Sequence, residues 1–114
     1  MSATATVVVP RTRGLYVRVR GYKPPAHEQE RAETALKQFC AGVLGLAHSE
    51  SYLMFEPDGV QGCKGTYIEI DEVSMSHNLD NDDLRKLGIA IAETIRKQLT
   101  ADCRWFWGIA HYDS

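Results

Sequence analysis

Hydrophobic periodicity along this chain switches from two residues to 3.6 and back again, twice, and that order limits the folds open to it. From Leu15 to Arg20 the apolar Leu15, Val17 and Val19 alternate with Tyr16, Arg18 and Arg20, so a strand here has one greasy and one polar face. The YKPP run at 22–25 breaks the ladder, because prolines cannot donate to it but can open a helix. From Ala26 to about Leu44 the spacing becomes helical, with Ala32, Ala35, Leu36, Phe39, Val43 and Leu44 on one side and Gly45 placed as a C-cap. SYLMFEP (51–57) reads as a second strand with Leu53 and Phe55 on one face.

The pattern then repeats. After the turn-rich PDGVQGCKG, the run GTYIEIDEV (65–73) predicts a strand with Ile68 and Ile70 inward and Tyr67, Glu69 and Asp71 outward. SMSHNLDNDD ends in capping residues and acids, a helix-start signal. Leu84, Leu87, Ile91, Ile95 and Leu99 then line one face of a helix from about Asp82 to Leu99. RWFWGIAHY (104–112) predicts a last strand, with Trp105, Trp107, Ile109 and His111 on one face and Phe106 on the other. The early TATVVV is a candidate for a short edge strand. Two β-α-β halves imply an α/β two-layer sandwich, a four-stranded sheet with both helices on one face. That leaves the opposite face, carrying Tyr16, Arg18, Arg20, Tyr67, Glu69 and Asp71, without a cover.

A chain of 114 residues is one domain by length, and 44% apolar with 25% charged residues is ordinary globular composition. A formal net charge of −2 gives no overall field for phosphate backbones, so no nucleic-acid partner is expected. No run reaches the roughly 18 apolar residues of a membrane span, and MSATATVVVP lacks a basic leader region. Cys40, Cys63 and Cys103 are odd in number and widely spaced, which fits reduced thiols in a cytoplasmic protein. His27, His48, His77 and His111 are scattered without metal-ligand spacing, and GVQGCKG lacks a phosphate-loop ending. Neither metal nor cofactor is expected. Cys63, beside Lys64 in a turn, is the thiol expected to be exposed and reactive.

Two resemblances follow from this order of elements. LYV (15–17) and KGTYIEI (64–70) loosely echo the two signatures of the RNA-recognition motif, but aromatics needed in the second are missing, and Glu69 and Asp71 would repel phosphates. The chain from about Leu15 onward is more similar to the tautomerase superfamily, the group containing macrophage migration inhibitory factor. The features carrying this are the β-α-β duplication, YLMFEPDG with its glycine-rich loop, RVRG at 18–21, and Gly88 with Ala92–Glu93 in the second helix. The resemblance implies one tautomerase-like domain over 1–114, with 1–13 as an extension ahead of the first family strand. It also implies a homotrimer and a small carboxylated keto or enol substrate.

The family's base is an amino-terminal proline, basic because no carbonyl is attached to its nitrogen. The resemblance places that position at Leu15, beside Tyr16, behind fourteen other residues. Pro10 is the nearest proline, and its nitrogen is an amide. Proline-type catalysis is therefore not expected: either another base serves, with His111 the candidate, or the fold binds without catalysing. Arg11 and Arg13, nearest the family's site, are candidates for pairing with a carboxylate. Arg18 and Arg20 either do the same or pair with Glu69 and Asp71 across the open face. Trp105 and Trp107 either wall a ligand pocket, as the last strand does in the family, or fill the core beneath the helices.

Overall fold

The computed structural model describes residues 14–73 and 80–108. Arg11, Arg13, His111 and the TATVVV run lie outside them, as does the far half of the last predicted strand. The elements are β1 (Gly14–Arg20), α1 (Ala26–Phe39), β2 (Ser51–Glu56), β3 (Thr66–Val73), α2 (Asn81–Arg96) and β4 (Cys103–Trp107). The sheet order is β2-β1-β3-β4. Each half is a parallel pair bridged by its helix, β1 with β2 and β3 with β4, and the halves join through the antiparallel β1–β3 pair at the centre.

Period-two alternation sends Leu15, Val17, Val19, Ile68 and Ile70 to one face, none more than 1% exposed. Leu36 and Cys40 from the first helical segment and Ile91, Ala92 and Ile95 from α2 close over them, so both helices share that face. Asp80 caps α2 by accepting the Asp83 N–H at 2.8 Å, with Asp82 and Asp83 in the favourable first turn. α1 starts after Pro25 with no side-chain cap.

The first helix departs from its predicted course after Phe39. Cys40–Leu44 form a turn of π geometry, in which the Gly45 N–H reaches back five residues to the Cys40 carbonyl. Gly45 then takes the left-handed conformation, φ +66°, that a helix-ending glycine supplies. Widening the turn rotates Val43 off the apolar stripe, leaving it 62% exposed, while Cys40 and Leu46 fill the core.

A second correction concerns the helix-free face. Tyr16, Glu69 and Asp71 point there as predicted, yet they are only 8%, 4% and 1% exposed. The reason is lateral. Tyr16 stacks flat on Tyr52 with centroids 4.8 Å apart, and Gly108 passes beside both carboxylates while its N–H bonds the Ile70 carbonyl at 2.8 Å. A Cβ on Gly108 would lie 2.2 Å from Asp71 Oδ1 and 2.9 Å from Glu69 Oε2, so any larger residue there would force the carboxylates to shift.

Candidate functional site

Register turns the open face into three cross-sheet rows. Tyr52, Tyr16 and Asp71 form the first, Met54, Arg18, Glu69 and Phe106 the second, and Glu56, Arg20, Tyr67 and Arg104 the third. Arg20 bonds Glu69 at 3.0 Å and stands 3.8 Å from Glu56. Arg18 lies 3.9 Å from Glu56. The arginines thus meet acids, as one of the two sequence readings had it, but Arg18 turns to β2 rather than to Asp71. Tyr67 and Phe106 pack edge to face with centroids 6.0 Å apart.

Where β1 and β2 begin, the Leu15 side chain is fully buried in the core. Tyr16 reaches the same end only through the edge of its stack. Lys37, from the last turn of α1, stands 6.0 Å from the Tyr52 ring centroid. It donates to the carbonyls of His48 at 2.5 Å and Ser51 at 2.7 Å. Burial pushes the Cys40 thiol up to about 11, against the opposing influences of Ser51 and Lys37. It also raises Cys103, opposed by Arg96. Both shifts work against thiolate formation; Cys63 is exposed.

The tryptophans both touch the core and border a cleft. Trp105 lies on α2 so closely that a Cβ at Gly88 would come within 2.2 Å of its ring. Trp107 packs against the core and donates its indole N–H to the Leu84 carbonyl at 3.1 Å. Both remain partly exposed, and with Phe106, Asn81, Leu84 and Arg85 they line a cleft of about 370 Å³ along the outer edge of β4. Aromatic walls and one guanidinium suit a flat ligand carrying a carboxylate. Sequence reasoning missed Arg85, which looks like any polar helix residue until Trp105 and Trp107 are seen beside it. No group of three metal-ligating side chains occurs among the described residues.

No family model matches this chain, and no curated protein matches it in sequence. Solved structures do. Leishmania major MIF2 superposes with a TM-score of 0.58 at 12% identity, over 83% of this chain and 87% of that one. The macrophage migration inhibitory factor of Toxoplasma gondii gives 0.55 at 14% identity, over 82% and 86%. This chain has the fold of macrophage migration inhibitory factor. A Vibrio cholerae protein of unknown function shares this fold with the chain, at a TM-score of 0.59 and 13% identity over 91% of this chain and 84% of that one. At such identities the likeness is one of fold. Within the fold, the described residues hold no helix long and apolar enough to cross a membrane.

Proposed function

We propose that this protein binds a small carboxylated keto or enol compound in the Trp105–Trp107 cleft and isomerises it through a side-chain base, without an amino-terminal proline. The observation that carries this reading is the cleft itself, three aromatic rings with Arg85 beside them on the fold of macrophage migration inhibitory factor. Leu15, at the position the resemblance gives to the family's proline, has an ordinary amide nitrogen, so another group must move the proton; His111 is the candidate base from the flanking sequence, with Arg11 and Arg13 the candidates for pairing with the carboxylate.

Assembly belongs to the same proposal. β2 and β4 are the outer strands of the sheet, and Met54 on β2 is 52% exposed. Pairing those edges between copies removes a hazard that a lone sheet carries, and a homotrimer of about 38 kDa from the 12.8 kDa chain is the closed form expected. A second reading, a homo-oligomer that binds such a compound without turning it over, draws on the arginines of the open face being engaged by Glu56 and Glu69. The RNA-binding reading finds no support on that face, where Tyr16 is buried and acids stand between the aromatics.

Phenylpyruvate titration tests the proposal. Tryptophan emission should quench saturably, Arg85→Ala should weaken binding about tenfold, and enol–keto exchange should survive Pro10→Ala. Quenching without turnover selects the non-catalytic reading. Absence of quenching, or turnover that Pro10→Ala abolishes, overturns the proposal.

A further inference from the structure

At the opposite end of β4 from Trp107, three cations converge on a second depression. Lys64 closes the glycine-rich loop before β3, Arg96 ends α2, and Arg104 follows Cys103 at the start of β4. The parallel register sets Thr66 against Cys103 and Tyr67 against Arg104, which brings these segments together. With Gly65, Thr66 and Asp102 they line a cleft of about 450 Å³.

The cations are prepared to different degrees. Arg96 donates to the Cys103 carbonyl at 2.9 Å and to Glu93 at 2.6 Å, bonds that fix its guanidinium plane. A guanidinium has about five N–H donors, so most of its capacity still faces outward. Lys64 and Arg104 are exposed and make no ion pair among the described residues. The carbonyl end of α2 disfavours anions, so attraction here comes from side chains alone. The chain's net charge is −2, so this patch does not simply reflect a basic protein.

We propose that this cleft binds the phosphate group of a small phosphate monoester. Lys64, Arg96 and Arg104 set against the Asp102 and Glu93 carboxylates leave a net positive charge, and the three cationic side chains match the three acceptor oxygens of a phosphate monoester. A carboxylate offers only two oxygens to the three side chains. Asp102 within the cleft and Glu93 beside Arg96 interrupt the positive patch, whereas a nucleic acid needs a continuous basic track. The inference is independent of the keto-acid proposal, because it uses neither the aromatic cleft nor any proton transfer.

Amide chemical-shift mapping on the full chain with glycerol phosphate, inorganic phosphate and a single-stranded oligonucleotide tests it. Saturable shifts confined to residues 64–66, 96 and 102–104, larger for glycerol phosphate than for inorganic phosphate, are expected. Arg104→Gln should weaken glycerol phosphate binding about tenfold, while Lys86→Gln, the same charge change at an exposed residue paired with Asp82 and outside the cleft, leaves it intact. Dispersed or unsaturable shifts, equal losses in the two variants, or tighter binding of the oligonucleotide would overturn the assignment.

Discussion

On the helix side of the sheet Leu15, Val17, Val19, Ile68 and Ile70 are sealed because two helices lie on them; on the other side Glu69 and Asp71 are nearly as buried with no helix over them among the described residues. The first kind of burial needs only the right periodicity, since any apolar row of the right spacing meets the apolar stripe of a helix. The second needs particular pairs, Tyr16 on Tyr52, Arg20 on Glu69, and a glycine at 108 that leaves room for two carboxylates. Apolar cover is collective and tolerant, while polar cover is pairwise and depends on register.

Three measurements press on that contrast. Ile70→Ala removes a fully buried side chain under the helices, and should lower unfolding free energy by about 3 kcal/mol in a denaturant titration at fixed protein concentration. A loss under 1 kcal/mol would mean the helix side collapses into the gap more readily than a packed core allows. Arg20→Ala strips a 3.0 Å ion pair from a carboxylate whose side chain is 5% exposed. Because the arginine itself is 27% exposed and partly screened, about 1–2 kcal/mol is expected, with Arg20→Lys restoring part of it. Should Arg20→Ala cost nothing, the open face would not depend on its pairs, and the contrast would fail there.

The smallest effect concerns pH. On the helix side, the Tyr22 hydroxyl donates to Glu28 at 2.8 Å and the Thr100 N–H at 3.1 Å, tying the two helices' connections together. The hydroxyl, chiefly, holds the Glu28 carboxyl below its ordinary 4.5; burial works the other way, and the Thr100 N–H, Arg31 and His27 reinforce the lowering. A depressed folded value means the stabilisation is complete above 4.5 and disappears as pH falls through the lowered value. Wild type should therefore be more stable than Glu28→Gln at pH 6, with the gap closing as pH falls through the lowered value. Parallel profiles would assign the acid sensitivity to the other face.

The same contrast explains what could be read from sequence. Alternation in LYVRVR and YIEID identified the sheet's two faces, and the acids at 80, 82 and 83 marked the start of α2. The burial of Glu69 and Asp71 was not legible, because it depends on Gly108 coming alongside Asp71, a relation between strands far apart in the chain. The π turn escaped for another reason: Val43 and Leu44 keep helical spacing on paper, and nothing in CAGVL announces the widened turn. At the candidate site the aromatic residues stood out in RWFW, whereas Arg85, Lys64 and Arg96 acquire meaning only when the ends of separate elements meet.

β1 stands at the centre of the sheet and hydrogen-bonds to strands on both sides. During synthesis its first partner, β2, arrives through α1, but its second edge stays unpaired until the Pro57–Gly65 loop and all of β3 have emerged. At roughly 5–20 residues per second that interval lasts on the order of seconds, long against hairpin formation in microseconds. The nascent half-domain must therefore wait with an exposed strand edge on a crowded polysome. Arg18 and Arg20 ride on that waiting strand with only Glu56 of β2 set against the pair, and the positive charge left over opposes docking of the same strand from a neighbouring chain until Glu69 arrives to bond Arg20.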